Sequence, residues 1–171
     1  MSDAQVAEVD AYIEAYKAPD GVQPHWVAVR GRGRDWEATW PLVGTDGIAS
    51  GYIKLESNAR QTEIGISVIF RGQPIFRIDI VPDDRSEGNP LSARKYAPHL
   101  PAAFRGSHVH AWSDQRAWVR EHGLGELPFR RPLAPVPANL DRAFELLSVE
   151  INLTLLSDQR GIEMPRQIGF S

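Results

Sequence analysis

Across residues 25–81 apolar and polar positions alternate with a period of two, interrupted at short intervals by turn residues, and the pattern predicts a run of strands. His25–Arg30 and Asp35–Trp40 flank Gly31-Arg32-Gly33-Arg34, which reads as a hairpin connection. Ile48–Glu56, Ile64–Phe70 and Ile75–Val81 follow, separated from their neighbours by turns such as Thr45-Asp46-Gly47 and Arg71-Gly72-Gln73-Pro74. No long helical crossover lies between them, so an antiparallel meander is expected rather than a doubly wound parallel sheet.

At both ends of the chain the apolar period lengthens to three and four residues. Val6, Val9, Ile13 and Tyr16, with Tyr12 beside them, predict an amphipathic helix over residues 3–17. Ser2 or Asp3 caps it, and Pro19-Asp20-Gly21 stops it. Asp3, Glu8, Asp10 and Glu14 read as its solvated face. Asn139 is the expected N-cap of a final helix reaching about Leu156, with Leu140, Phe144, Leu147, Ile151 and Leu155 as its buried stripe. Asp114–Glu121 suggests a short helix, and the proline-rich stretch Pro128–Pro137 predicts irregular chain. The expectation is a single α+β domain over residues 1–171. An N-terminal helix lies within 1–20, an antiparallel sheet of about six strands spans 25–112, and a long helix within 138–157 packs on one sheet face. Residues 82–105 form a long polar loop, and a loop of that length in a compact domain is more often functional than merely connective.

Composition narrows the chemistry. The 171 residues include no cysteine, which excludes disulfides, thiol catalysis and a thiolate zinc site, and leaves His, Asp and Glu as the strong metal ligands. The start of the chain lacks a basic segment followed by an apolar one, and no apolar run reaches membrane-spanning length. A cytoplasmic location with no membrane partner is therefore expected. The net charge of -3 is uneven: residues 71–131 hold ten basic against seven acidic side chains, and the remainder nine against fifteen. A mildly basic middle suits an RNA or other phosphate-containing ligand, although a duplex-DNA binder is usually more basic overall.

Two strand-like stretches carry the chemistry. In Pro74–Val81, Arg77 and Asp79 share one face while Phe76, Ile78 and Ile80 share the other. In Gly106–Trp112, His108, His110 and Trp112 project together, opposite Ser107, Val109 and Ala111. Two imidazoles two residues apart on a strand bind one metal, or act as base and acid about a phosphate, or simply pack half-buried. Arg77 is suited to hold an anionic group in a bidentate fork, and Asp79 to orient an imidazole, although the two also suit pairing with each other. With a divalent metal, Asp79, His108 and His110 make a two-His-one-carboxylate set. Arg105, Ser107, Asn89 and Trp112 are the expected substrate-binding residues, and Glu63 a further candidate. Asp114 completes a His-x-His-x-x-x-Asp spacing similar to the first cupin motif, without the cupin glycine pattern or the downstream His. His25, His99 and His122 are isolated. Phosphate-binding loop, Gly-x-Ser-x-Gly and dinucleotide motifs are absent from the sequence.

The order Arg77-x-Asp79, Asn89-Pro90, Gly106-x-His108-x-His110-x-Trp112 and a C-terminal amphipathic helix resembles small proteins carried by phages and mobile elements. More distantly it is similar to the TumE-type toxins of toxin-antitoxin pairs, with Ile78 standing where those have an aromatic residue. The resemblance covers about residues 64–112 and the last helix. It implies a toxin or defence role involving RNA cleavage, with Arg77, Asp79, His108 and His110 at the matching positions. The leading expectation is a phosphodiesterase or ribonuclease-like protein of a mobile-element conflict system. The alternatives are a non-enzymatic phage-type inhibitor or adaptor and a cupin-like metal-dependent small-molecule enzyme. The adaptor would bind a cognate or host protein through the acidic first helix and Trp26, Trp36, Trp40, Trp112 and Trp118.

Overall fold

The computed structural model describes residues 3–29 and 35–165. The expected Gly31–Arg34 hairpin and a cap at Ser2 lie outside the described residues. Helix α1 (Asp3–Glu14) leads into β1 (Ala18–Pro19), β2 (His25–Ala28), β3 (Trp36–Val43), β4 (Ala49–Ser57), β5 (Ile64–Phe70) and β6 (Gln73–Ile80). After β7 (Ser86–Gly88), α2 (Ala93–Tyr96) and β8 (Ala103–Arg105) come β9 (His108–His110), α3 (Trp112–His122), β10 (Arg131–Pro132) and α4 (Leu140–Ile151). The α+β architecture is as expected, with eight strands in the main sheet rather than about six. Its order is β1-β3-β4-β5-β6-β9-β10, with β2 also paired to β3, and every pairing is antiparallel.

One face of this sheet is apolar and is covered by helices. Ala38, Trp40, Ile53, Leu55, Ile66, Val68, Phe76, Ile78 and Val109 line it, and Val6 and Val9 of α1 with Phe144, Leu147 and Ile151 of α4 fill the layer above. Trp40 meets Phe144 edge-on at 5.9 Å, and Tyr12 stacks on Phe70 at 4.2 Å. Leu140, Phe144, Leu147 and Ile151 of the stripe expected in α4 are buried, whereas Leu155 lies beyond the helix and is half-buried, and the Asn139 side chain accepts the Arg142 N–H at 2.9 Å as the N-cap. The helix stops at Ile151 because Asn152 adopts a left-handed conformation, φ 51° and ψ 47°.

Four expectations need correction. The acidic side of α1 is not merely solvated: Asp3 pairs with Arg120 and Asp10 with Arg116 of α3, and Glu8 with Arg71. The contacts to Arg116 and Arg120 dock α1 sideways onto α3. Residues 82–105 are not a structureless loop, since β7 and β8 pair antiparallel and α2 adds one helical turn. Ala93 and Ala97 of that segment pack with Phe129 in a small separate core. Finally, the proline-rich stretch contributes β10 at the sheet edge, and Trp112 leaves the strand to begin α3.

Lys17 ties the helical layer together. Its side chain is 1% exposed, and its ammonium donates to the carbonyls of Ile13 (3.2 Å), Ala15 (2.6 Å) and Ile151, at the C-terminal ends of α1 and α4. A cation there meets carbonyl groups that lack intrahelical donors. Burial lowers the Lys17 amine from 10.5 to about 8. Lys17→Met leaves these carbonyls without a donor and is expected to cost about 2 kcal/mol at pH 7 in denaturant unfolding. Because the folded pKa is depressed, the unfolded chain binds the extra proton between about pH 8 and 10.5, so wild-type stability rises with pH there. The gap to Lys17→Met should widen over that window by at most about 3 kcal/mol.

Candidate active site

The sheet face away from the helices carries the polar cluster. Register places Arg77 directly opposite His110 and Asp79 directly opposite His108 across β6 and β9. On the other side of β6, Ser67 faces Arg77 and Gly65 faces Asp79, with Lys54 and Glu56 one strand further out. The four residues that the sequence pairs by alternation are thus brought together in three dimensions. They lie in a cleft of about 540 Å³ whose walls include Glu56, Glu63, Arg85, Glu87, Glu126 and Arg130.

Asp79 is the hub. Arg77 grips it in a fork, with Nε 2.9 Å from Oδ1 and 2.7 Å from Oδ2, and Nη2 2.6 Å from Oδ1. The Nε2 atoms of His108 and His110 approach Asp79 Oδ2 at 3.5 and 3.4 Å. Their far nitrogens are anchored to backbone carbonyls. His108 Nδ1 lies 3.2 Å from Gly106 O, and His110 Nδ1 lies 2.5 Å from Leu127 O. A carbonyl oxygen only accepts, so each Nδ1 is the donor, and each ring turns its Nε2 toward the same carboxylate oxygen.

Local sequence explains this geometry. Gly106 adopts φ +80°, so the turn into β9 needs glycine for its conformation. Gly65 makes room instead: its missing Cβ lies 3.4 Å from Arg77 Nη2 and 3.7 Å from Asp79 Oδ1. Burial raises the Asp79 carboxyl, but the His110 imidazole and the Arg77 guanidinium more than reverse this and hold it well below the usual carboxylate range. Burial also lowers His108, outweighing the carbonyl of Gly106 and the charge of Asp79. His108 and His110 are 4% and 6% exposed, so only their Nε2 edges are offered to the cleft.

The remaining predicted residues separate. Ser107 points away from the histidines and exchanges hydrogen bonds of 3.1 Å with the backbone N–H and carbonyl of Val81. Trp112 is buried in the helical core, where its indole N–H donates to Asp10 at 2.8 Å. Arg105 is exposed on β8 and does not line the cleft. Asn89 acts indirectly: its amide donates to Arg130 O at 2.8 Å and accepts the Arg130 N–H at 2.6 Å, pinning the strip that carries Arg130 into the cleft. Asp114 sits on α3 with His99 at 2.8 Å and Arg131 at 3.0 Å, apart from the histidine pair with which its spacing grouped it. Glu63 does border the cleft and pairs with Arg85 at 2.9 Å.

Sequence reasoning missed Arg85, Glu87, Arg130 and the Gly125–Pro128 strip. Glu87 bridges Arg85 at 3.0 Å and Arg130 at 2.9 Å, and Arg130 Nε is buried without a hydrogen-bond partner among the described residues. The clue was the density of arginines in 71–131, which composition registers without locating. Comparisons with protein-family models, curated proteins and solved structures give no match. No helix among the described residues is long and apolar enough to cross a membrane.

Gly65→Ala should be tolerated, because its Cβ meets Arg77 and Asp79 at ordinary contact distance. Gly65→Val adds two methyl groups where the guanidinium lies. It is expected to push Arg77 off Asp79 at a cost of about 1–3 kcal/mol. The Arg77 Nε–H resonance reports the change, retained with Ala and lost with Val.

Proposed function

We propose that this cleft hydrolyses or transesterifies a phosphodiester, with RNA as the substrate class, and that the chain is a ribonuclease-like protein acting in a mobile-element toxin or defence system. The reading rests on one observation above the others: two imidazoles of set orientation, a carboxylate held ionised and a guanidinium fork meet at the floor of one open cleft. Phosphoryl transfer asks the protein for little covalent chemistry and much positioning and charge stabilisation. The His108, His110 and Asp79 edge activates the attacking oxygen, which forms the new P–O bond as its proton passes to the site. The old P–O bond breaks, and the leaving oxygen receives a proton. Arg130 and Arg85, which line the cleft and are bridged by Glu87, are the cations at hand to exchange that carboxylate for the non-bridging phosphate oxygens. Arg77 is already committed to Asp79 through Nε and Nη2, so its part is to orient and hold that carboxylate rather than to grip phosphate.

The toxin or defence setting rests on the resemblance of the Arg77-x-Asp79 and His108-x-His110 segments. Of the alternatives, a protein-binding adaptor has less to stand on, since the acidic side chains of α1 are spent on Arg71, Arg116 and Arg120 and Trp40 and Trp112 are buried.

Purified protein incubated with a single-stranded RNA oligonucleotide should produce fragments. His108→Ala and His110→Ala should each lower the cleavage rate by about 10²–10⁴-fold. Arg130→Ala should chiefly raise KM. Bacteria expressing the wild type should slow in growth and lose intact RNA, and those expressing the double His variant should not. Intact RNA in both the tube and the cell would overturn the reading.

A further inference from the structure

Deepening that reading, we infer that Asp79, His108 and His110 hold a single divalent transition-metal ion of the zinc type, and that the ion is what activates the attacking oxygen.

Three independent features of the geometry point to it. The first is orientation. Both rings spend their Nδ1–H on a backbone carbonyl, Gly106 O for His108 and Leu127 O for His110, which leaves both Nε2 atoms aimed at one oxygen of the Asp79 carboxylate. Three ligand atoms thus converge on one point, an arrangement that a cation between them satisfies. Backbone carbonyls on the far ring nitrogen are also the usual means by which metal-binding imidazoles are oriented.

The second is distance. Separations of 3.4 and 3.5 Å between Nε2 and Oδ2 are too long for a good N–H···O bond, which centres near about 2.9 Å. They fit two ligands on one tetrahedral ion: metal bonds of about 2.0–2.1 Å subtend a ligand-to-ligand edge of about 3.3 Å. The ligand atoms of all three residues lie within 4.8 Å of one another, so a small inward movement of the rings completes the set. Arg77 does not block it. Its Nε occupies one lone pair of Oδ2, its Nη2 bonds Oδ1, and a carboxylate oxygen has a second lone pair for a metal.

The third is charge. The cleft wall carries five carboxylates (Glu56, Glu63, Asp79, Glu87, Glu126) against three guanidiniums (Arg77, Arg85, Arg130). A phosphodiester entering that wall meets an excess of negative charge even with Lys54 2.8 Å from Glu56, and a divalent ion offsets it. Two nitrogens and one oxygen are a borderline donor set that selects zinc or its neighbours over magnesium and calcium, which prefer all-oxygen sites. Three protein ligands leave a position open toward the cleft for water, whose pKa such an ion lowers to about 7. Forming the hydroxide releases a proton to solvent. The hydroxide, or the RNA 2′-oxygen once it has given its proton to that hydroxide, forms the new P–O bond as the bond to the leaving oxygen breaks and that oxygen takes a proton from water.

The full chain, purified without a histidine tag and stripped with a chelator, is titrated with Zn²⁺ by calorimetry and with Co²⁺ by visible absorption. One ion per chain, with the intense absorption of tetrahedral cobalt, is expected. Asp79→Asn and His108→Gln should each weaken binding by at least about 100-fold. His99→Gln and His122→Gln, which remove imidazoles outside the cleft, should not. Circular dichroism separates loss of a ligand from loss of the fold, and His110→Gln serves if Asp79→Asn leaves Arg77 unpaired and unfolds the chain. Absence of stoichiometric binding by folded wild type, binding that survives His108→Gln, the weak spectrum of octahedral cobalt, or Mg²⁺ binding as tightly as Zn²⁺ would each overturn the site. RNA cleavage that persists in the stripped protein sinks the metal but spares the phosphodiesterase reading. Tight Zn²⁺ binding with no cleavage does the reverse.

Discussion

The antiparallel pairing of Arg77–Asp79 with His108–His110 is the constraint on which the site depends. Because side chains alternate along a strand, slipping this pairing by one residue would turn Ile78 and Val109 toward the cleft and the charged groups into the core. The register is held from below rather than from the site itself. Phe76, Ile78 and Val109 are buried in the apolar layer that α1 and α4 complete, and that burial is what commits the opposite face to polar residues. The apolar face therefore stabilises the sheet, and the polar face is free to assemble charges that would be costly in a core.

Once the register is set, the cluster is built by saturation. Oδ1 of Asp79 takes two bonds from Arg77 and Oδ2 takes one, so the carboxylate cannot rotate and its remaining lone pair points at the histidines. Each imidazole is in turn held by a carbonyl, one from the turn at Gly106 and one from the strip at Leu127. Orientation of this kind, from side chains locked by their own partners, distinguishes a working constellation from polar residues that merely share a face. Glu87 does the same for the wall by bridging Arg85 and Arg130. The segment 82–105 supplies Arg85, Glu87 and the Asn89 clamp on Arg130, and so it contributes walls to the cleft rather than a passive roof.

The helical layer shows the same economy at a different scale. Lys17 caps two helix ends with one ammonium, and Asp3, Glu8 and Asp10 on the solvated side of α1 reach arginines of α3 and of the β5–β6 turn. These contacts join elements far apart in sequence. They are invisible to helical periodicity, which records only which positions are apolar.

Sequence alone determined the α+β class, the strands from β3 to β6, the capped C-terminal helix and the shared face of Arg77 and Asp79, because each follows from local periodicity or local hydrogen bonding. It also set His108 and His110 side by side, since two residues apart on a strand is a local relation. Tertiary structure decided the rest. Trp112 went to the core because β9 ends two residues earlier, at His110, and α3 begins at Trp112, and Asp114 turned to His99 and Arg131 for the same reason. Gly65, Glu87 and Arg130, 8 to 51 residues distant from Asp79, entered the site through contacts known only once the strands are in register. Local patterns say which side of a strand a residue occupies. What stands opposite it is settled by how distant segments bury their common apolar face.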